Sequence, residues 1–252
     1  MNIALIQSEI YDFDIKRNLE NLSHISAAVS SDTDLIIFPE MFLTGFITDT
    51  ESALQSKQEG LHFMQMLARQ KQCAVEGSLL AEDNGKYYNR HYFVTPSDVY
   101  YYDKQKLFSL SDEPKTISCG SKDTTVSYKD WKINLKTCYD VRFCDICKNS
   151  YLNGEFKYDI SVFVASWPQS RSMQWKTLLQ ARAIENMCVC IGVNRTGKDS
   201  KGIEYGQNCF VFNCKGGEIK ALPHSTENIL YFTLDKEELN LMRSKFPVYK
   251  DW

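Results

Sequence analysis

Glu40, Lys104 and Cys138 each follow a short apolar run that is typical of a buried strand. In open α/β sheets, ligands bind beyond the ends of strands. A thiol is a competent nucleophile only as the thiolate, so it needs a base or a nearby positive charge. A glutamate can take the thiol proton, and a desolvated lysine can stabilise the thiolate and then the oxyanion of a tetrahedral intermediate. Together the three residue types predict nucleophilic catalysis by cysteine, provided that folding brings them into one secluded pocket.

Taken singly, each of these residues has an ordinary structural interpretation. A carboxylate after a strand is usually a cap or a surface group, a lysine there is usually solvated, and a cysteine is usually part of the core. Histidine is the commoner base for a thiol, but none of the four histidines lies in a run that looks like a site. The serine-hydrolase elbow G-x-S-x-G, the Walker A loop, G-x-G-x-x-G and H-E-x-x-H are all absent from the sequence.

The elements that must position these residues begin with a strand–helix–strand pattern. Ile3–Gln7 and Leu35–Phe38 are apolar runs typical of buried strands, and the residues between them have apolar positions at helical spacing. This pattern predicts a βαβ unit with a right-handed crossover. A helix at Leu61–Lys71 and a strand at Cys73–Leu80 are predicted to follow.

The remainder of the chain alternates predicted strands with two further helices. Strands are predicted at Tyr87–Thr95, Val99–Tyr102, Thr124–Tyr128, Trp131–Thr137, Asp159–Ala165, Cys188–Asn194, Asn208–Asn213, Glu218–Leu222 and Asn228–Leu234, and helices at Ser170–Met187 and Lys236–Ser244. Cys214–Gly217 is predicted to form a hairpin turn. Because no repeat, low-complexity stretch or linker interrupts the pattern, we predict a single α/β domain over residues 1–252, with helices covering sheets.

Composition and charge limit the classes of partner. The net charge of −3 and the absence of a basic tract favour neither nucleic acid nor an anionic membrane as a partner. No apolar run approaches the length of a membrane-spanning helix, and the N-terminus lacks the pattern of a secretory signal. The nine cysteines are odd in number and irregularly spaced. These features predict a cytoplasmic protein in which most thiols are reduced and buried.

Four segments around these residues resemble the motifs of the nitrilase superfamily of carbon–nitrogen hydrolases. Phe38–Phe46 resembles its glutamate motif, Tyr102–Phe108 its lysine motif and Thr137–Phe143 its cysteine motif. A fourth match runs from Trp167 to Asn186 and is followed by Asn194–Gly197. The motifs occur in the family's order, and the resemblance covers essentially the whole chain.

The resemblance implies a four-layer αββα sandwich, with two mixed sheets covered by helices, that assembles as a homodimer or a higher homo-oligomer. It implies that Cys138 is the nucleophile, Glu40 the general base and Lys104 the oxyanion stabiliser. The backbone N–H of Tyr139 would be a second oxyanion donor, and Glu113 an auxiliary acid beside the lysine. No cofactor or metal is expected.

Within the superfamily, the sequence is most similar to the omega-amidases, which act on 2-oxo acid monoamides. Arg243–Val248 resembles the bacterial branch of that group. Such a substrate carries a carboxylate, and Arg171 is the candidate to bind it, because a guanidinium can grip a carboxylate at two points. Phe42, Phe46 and Trp167 are candidates to form an apolar slot for the methylene groups of the substrate.

Some residues depart from the family's pattern. Lys106, Cys144 and Asn208 replace the histidine, proline and serine that are common at these positions, so the rim of the pocket could differ. Cys144 and Cys147 form a lone C-x-x-C, which lacks the second ligand pair of a zinc site, and we do not expect it to be a redox pair.

Two alternatives to the omega-amidase interpretation stay open. The first is another branch of the same chemistry, an N-carbamoyl amine or aliphatic amide hydrolase, whose substrate need not carry a carboxylate. The second is a catalytically silent binding or scaffold protein on the same fold, because a fold alone does not settle function.

Overall fold

Two six-stranded sheets form the centre of the molecule in a computed structural model, which describes residues 1–46 and 50–252. Numbered along the chain, the first sheet contains, in spatial order, β16 (Ile229–Thr233), β1 (Asn2–Ile6), β2 (Leu35–Ile37), β3 (Ala74–Asp83), β4 (Lys86–Val94) and β5 (Val99–Asp103). Strands β1, β2 and β3 are parallel neighbours, whereas β4, β5 and β16 pair antiparallel. The parallel pairing of β1 with β2 confirms the predicted βαβ unit.

The second sheet is also mixed. In spatial order it contains β15 (Glu218–Ile219), β14 (Phe210–Phe212), β11 (Val189–Asn194), β10 (Ile160–Ala165), β7 (Trp131–Thr137) and β6 (Thr125–Tyr128). Strands β7, β10 and β11 are parallel, and β14 pairs with β15 across the predicted hairpin turn. Two short antiparallel pairs lie outside the sheets: β8 (Tyr151–Leu152) with β9 (Glu155–Phe156), and β12 (Gly197–Lys198) with β13 (Glu204–Tyr205).

Helices of very different lengths connect the strands. They are α1 (Ile15–Ala27), α2 (Thr50–Lys71), α3 (Glu113–Thr116), α4 (Cys144–Cys147), α5 (Ser172–Glu185) and α6 (Lys236–Lys245), with 3₁₀ turns at Cys138–Arg142, Gln169–Arg171 and Val248–Asp251. Helix α2 begins well before the predicted start at Leu61. The reason is that its first half buries Ala53, Ser56 and Gly60, and such small residues give little apolar periodicity.

The core is divided into layers by the alternation of side chains along the strands. In β1, Ile3 and Leu5 point between the two sheets, whereas Ala4 and Ile6 point toward α1 and α2. A third apolar cluster lies between the second sheet and α5, around Trp175. The order helix, sheet, sheet, helix confirms the predicted αββα sandwich. Within residues 1–46 and 50–252, no helix is long and apolar enough to cross a membrane.

Candidate active site

The structure brings Glu40, Lys104 and Cys138 together between the two sheets. Glu40 lies in the turn after β2, and Lys104 directly follows β5, both in the first sheet. Cys138 directly follows β7 of the second sheet and opens a 3₁₀ turn. All three side chains are buried. The site therefore exists only where the two sheets face each other, because neither sheet carries the whole set.

Glu40 is held by donors from both sheets. Its Oε1 accepts hydrogen bonds from Lys104 Nζ at 3.0 Å and from Asn89 Nδ2 at 2.7 Å. Its Oε2 accepts the backbone N–H of Ser166, which follows β10, at 2.8 Å. A carboxylate fixed on both oxygens has a defined orientation, which a general base needs.

Lys104 lies between two carboxylates. Its Nζ donates to Oε1 and Oε2 of Glu113 at 2.8 and 3.1 Å, in addition to Glu40. Glu113 also accepts the backbone N–H of Phe108 at 2.7 Å. Burial acts to lower the pKa of Lys104, but the two carboxylates and Cys138 raise it well above its ordinary value. The lysine is therefore a permanent cation at neutral pH.

Gly120 allows the chain to close against the end of β5. Its N–H donates to the carbonyl of Lys104 at 2.9 Å. A Cβ added at Gly120 would lie 2.0 Å from the carbonyl oxygen of Asp103, which is too close for any side chain. Glycine at this position is therefore part of what holds Lys104 in place.

The backbone is strained at two of the turns that carry the site. Cys138 has φ of 46°, and Met41, directly after Glu40, has φ of 50°. Residues other than glycine adopt such values rarely and at a cost, so the surrounding contacts must hold them. Ser78 Oγ accepts the N–H of Met41 at 2.9 Å and so supports the first turn.

The turn at Cys138 is held by the buried carboxylate of Asp140. Its Oδ2 accepts the N–H of Thr137 and the hydroxyl of Tyr102, each at 2.9 Å, and its Oδ1 accepts the N–H of Lys106 at 2.9 Å. Tyr102 and Lys106 flank Lys104 in sequence. The carboxylate of Asp140 therefore connects the turn at Cys138 with the segment around Lys104, at the end of β5 in the opposite sheet.

The Cys138 thiol keeps its proton in the resting site. Burial and the charge of the Glu40 carboxylate raise the pKa of Cys138 well above its ordinary value despite the opposing charge of Lys104. The roles of Cys138 as nucleophile and of Glu40 as base stay predictions.

A cavity of about 410 Å³ opens onto Lys104 of this cluster. Lys104, Glu113, Asn89 and Ser166 line it on the side of Glu40, and Arg171 lines it as well. Apolar and aromatic side chains complete much of the wall: Phe13, Met41, Phe46, Phe108, Ile117 and Ile203. A cavity of this size, mostly apolar with a few convergent polar groups, suits a small organic ligand.

Arg171 contributes a cation that has no carboxylate partner in the described part of the chain. Its guanidinium lies over the ring of Phe108, with 5.6 Å between Cζ and the ring centroid. The carbonyl of Arg171 accepts a hydrogen bond from Trp167 Nε1 at 2.8 Å, which anchors its main chain. The positive charge is therefore available to a ligand in the cavity.

The aromatic residues predicted at the site divide into two groups. Phe46 is 46% exposed and lines the cavity. Phe42 is fully buried against Phe38 on the helix side of the first sheet, and Trp167 is buried and stacked on Trp175. This corrects the expectation for Phe42 and Trp167, which lie outside the cavity wall because neighbouring apolar rings bury them.

Tyr139, the predicted second oxyanion donor, directly follows Cys138 in the 3₁₀ turn. Its ring makes edge contacts with Phe108 and Phe143, with centroid distances of 5.1 and 5.2 Å. The ring thus packs the turn against the lysine segment. The role of its N–H stays a prediction.

Sequence reasoning missed Asn89 and Ser166, which both bind Glu40. An asparagine within the predicted strand Tyr87–Thr95 was the available signal for the first. Nothing in the sequence marks Ser166, since the group that binds the Glu40 carboxylate is a backbone N–H.

The two cysteines of the C-x-x-C sequence lie on α4 in different environments. Cys144 is exposed, whereas Cys147 is buried and its Sγ donates to the carbonyl of Asp140. In the part of the chain that the structure describes, no group of three or more His, Cys, Asp or Glu residues is arranged to hold a metal ion. The expected homodimer and the expected independence of cofactors stay predictions.

Two mixed sheets between helices, with a thiol, a carboxylate and an ammonium buried where the sheets meet, place the protein among the αββα sandwiches of the nitrilase type. The carbon-nitrogen hydrolase family matches residues 2–244, and the chain belongs to this family.

Similar proteins cover nearly the full length of the chain. The chain is 31% identical to the omega-amidase YafV of Escherichia coli (strain K12), with 100% of this chain and 96% of that protein covered. It is 31% identical to a 2-oxoglutaramate amidase of Paenarthrobacter nicotinovorans, with 100% and 89% covered. A CN-hydrolase superfamily protein from Xanthomonas campestris, solved with an arsenic adduct in its active site, matches with a TM-score of 0.93 at 30% identity, with 100% and 97% covered.

Proposed function

We propose that the protein is an amidohydrolase that cleaves the terminal carboxamide of a small 2-oxo acid monoamide, of the 2-oxoglutaramate or 2-oxosuccinamate type, to a dicarboxylate and ammonia. The observation that carries this proposal is that Arg171, which has no carboxylate partner among the described residues, lines the same cavity as Lys104 of the buried Cys–Glu–Lys cluster. The names of two relatives, an omega-amidase and a 2-oxoglutaramate amidase, support it.

Substrate binding would use the two ends of the cavity differently. Arg171 would grip the carboxylate next to the ketone with two N–H groups. The methylene groups would lie against the apolar wall that includes Phe46, Phe108 and Ile117. The terminal amide would then reach Cys138, so charge at one end orients the reacting carbon at the other.

Acylation would begin with the transfer of the Cys138 proton to Glu40. The sulfur forms a bond to the amide carbon, and the oxygen of the amide becomes an oxyanion held by Lys104 and the N–H of Tyr139. Glu40 then gives its proton to the amide nitrogen. The carbon–nitrogen bond breaks, ammonia leaves, and a thioester on Cys138 remains.

Deacylation would reverse the proton transfers with water in place of ammonia. Glu40 takes a proton from the water, whose oxygen attacks the thioester carbon. The same oxyanion donors act again. As the carbon–sulfur bond breaks, the sulfur recovers the proton from Glu40, and the dicarboxylate is released.

Replacing the sulfur tests the assigned chemistry. The variant Cys138→Ala should release no ammonia above the uncatalysed rate, while the purified protein keeps its melting temperature within a few degrees. Parent enzyme quenched during turnover should show an acyl adduct on Cys138 by mass spectrometry. Turnover by the folded Cys138→Ala variant would refute the role of Cys138 as the nucleophile.

A substrate panel tests the assigned specificity. Ammonia release should be fastest with 2-oxo acid monoamides, compared with plain aliphatic amides, N-carbamoyl amines and nitriles. Arg171→Ala should raise KM for the 2-oxo amide by about 10- to 100-fold, the range expected for a charge-assisted bidentate contact. KM for an uncharged amide should change little. Lys176→Ala, on the next helix and paired with Glu218, is the matched control.

The apolar wall of the cavity favours a second candidate, the hydrolysis of an aliphatic amide or an N-carbamoyl amine by the same chemistry. If Arg171→Ala leaves KM unchanged for the best substrate of the panel, this candidate replaces the first. If no amide yields ammonia or an acyl adduct, the protein acts as a binding or scaffold protein.

A further inference from the structure

A pair of titratable side chains lies buried between the two sheets, beside the active site. His91 of β4 places Nε2 3.0 Å from Oε1 of Glu76 on β3, and both side chains are fully buried. On its other side, His91 Nδ1 lies 3.0 Å from the main-chain oxygen of Lys136 on β7, which belongs to the second sheet. We call Glu76, His91 and the Lys136 carbonyl the cross-sheet tie.

The contacts of His91 fix its tautomer. A carbonyl oxygen can only accept a hydrogen bond, so Nδ1 must carry a proton and donate it to Lys136. Nε2, the other ring nitrogen, faces the Glu76 carboxyl. Burial raises the pKa of Glu76 against the opposing effect of His91, which favours the protonated form of the Glu76 carboxyl.

Filling this space with Glu76 and His91 costs stability of the folded state. No partner other than His91 reaches either oxygen of Glu76 within the described residues. A buried polar group with so few partners costs stability, and two apolar side chains of similar volume would usually be at least as stable. The pair therefore calls for an explanation other than packing.

The position of the cross-sheet tie beside the active site supplies such an explanation. Asn89 precedes His91 by two residues on β4, so both side chains point to the same face of the sheet. Asn89 donates to Glu40 through Nδ2, and its carbonyl accepts the N–H of Lys104 at 3.0 Å. On the other sheet, Lys136 precedes Cys138 by two residues. The tie thus joins the strand that holds the base and the ammonium to the strand that delivers the thiol.

We propose that His91 is a positioning residue for the hydrolysis. Its Nδ1–H bond to Lys136 sets the distance between β4 and β7, and so the distance between the Glu40 carboxylate and the Cys138 sulfur. Glu76 holds the imidazole in the orientation that this bond requires. The inference rests on the proposed function, because it takes Glu40 and Cys138 to exchange a proton.

Two substitutions of His91 separate its two nitrogens. In His91→Asn, the amide can occupy the Nδ1 position and still donate to Lys136, but contact with Glu76 is lost. In His91→Gln, the amide reaches the Nε2 position and Glu76, but the bond to Lys136 is lost. We expect His91→Asn to keep most of kcat and His91→Gln to lose about 10- to 100-fold, with KM nearly unchanged, because small misplacements of reacting groups have effects of that size.

The control is Val75→Ala, on the opposite face of β3, where the side chain packs against the helix layer. It should lower the melting temperature without lowering kcat. A folded His91→Gln variant with the kcat of the parent overturns the proposal. So does a loss of kcat in Val75→Ala that matches the loss in His91→Gln at equal melting temperature.

Two further measurements cover the remaining outcomes. If neither His91 variant folds, the double variant Glu76→Leu/His91→Phe removes both partners together and decides the question by whether kcat falls. Alkylation of Cys138 by iodoacetamide needs no substrate and should slow in His91→Gln but not in His91→Asn. If that difference appears in a protein that hydrolyses no amide of the panel, the proposed function fails and the positioning role stands.

Discussion

Lys104 is the cation on which the buried charges of the site depend. It is 1% exposed and contacts two carboxylates, Glu40 and Glu113, which are also buried. Without the ammonium, two like charges would face each other in a region of low dielectric constant. The same ammonium lies close enough to Cys138 to act on the thiol. One residue therefore serves both stability and the proposed oxyanion stabilisation.

Replacing Lys104 should reveal both effects. In Lys104→Ala we expect kcat to fall by at least about 10²- to 10³-fold, the cost of losing one oxyanion donor. We also expect a loss of about 3–5 kcal/mol in the free energy of unfolding, because one partner of a buried ion pair is removed. Steady-state kinetics and urea unfolding measure the two quantities. Lys115→Ala removes an exposed lysine nearby and should change neither, whereas kcat within tenfold of the parent in Lys104→Ala would exclude the assigned role.

Glu113 offers a subtler test at the same scale. The variant Glu113→Gln keeps the shape of the side chain but replaces one accepting oxygen with an amide donor, so the bidentate contact with Lys104 and the bond from Phe108 cannot all persist. We expect kcat to fall by about tenfold or more, with a small change in KM, because Lys104 is misplaced in the transition state. An unchanged kcat would leave Glu113 as a structural loop acid.

At the scale of elements, the strand ends and turns decide the geometry of the site. Asp140 receives three donors, two from the lysine segment and one from the residue before Cys138. These bonds hold the turn in which Cys138 has positive φ. The turn at Cys138 is therefore fixed by an acid that is not among the residues lining the cavity.

The variant Asp140→Asn should loosen this turn. One of the two carboxylate oxygens becomes an NH₂ group that cannot accept, so at least one buried donor loses its partner at a cost of about 1–3 kcal/mol. We expect a lower melting temperature and a lower rate of Cys138 alkylation by iodoacetamide, since the sulfur is no longer held beside Glu40. Asp145→Asn, on α4 and 66% exposed at its side chain, is the matched control. Equal alkylation rates in the two variants would contradict the argument.

Several elements could be predicted from the sequence because they are bounded by clear signals. Strand β7, Trp131–Thr137, was predicted to the residue, since a turn precedes it and Cys138 ends its apolar run. The short helix Glu113–Thr116 and the 3₁₀ turn at Cys138 have no periodicity and were not predicted. Local patterns thus predict elements that bury one face, and fail for single turns held by distant contacts.

The residues of the candidate site also fall into those that local sequence patterns predict and those that depend on distant contacts. The residues of the motifs could be named from the sequence, but their partners could not, because Asn89 and Ser166 reach Glu40 from distant strands. Phe42 shows the opposite error. It lies in a motif, but a reversal of the chain at Met41 turns its ring into the core.

At the scale of the whole molecule, the cysteines behave mainly as core residues. Seven of the nine are buried, all nine are free thiols, and this confirms the prediction that most are buried. Burial raises the pKa of Cys73 to about 11 and the pKa of Cys147 and Cys209 to about 12. The folded state therefore holds protons on these thiols at pH values where an unfolded chain has released them.

This proton linkage predicts how stability depends on alkaline pH. The pKa values of these thiols in the folded state exceed the ordinary value of 9.0. Their contribution to the free energy of unfolding is therefore fully present below pH 9 and is lost as the pH rises toward 11 and 12. Each such thiol steepens the loss of unfolding free energy by up to about 1.4 kcal/mol per pH unit.

The variant Cys73→Ala should therefore lose stability less steeply between pH 9 and 11 than the parent in urea unfolding. Any cavity it creates shifts the free energy equally at every pH, so the slope alone reports the proton. Cys119→Ala, which removes an exposed thiol, should keep the parent's slope, and equal slopes in all three proteins would show that buried thiols do not govern alkaline unfolding.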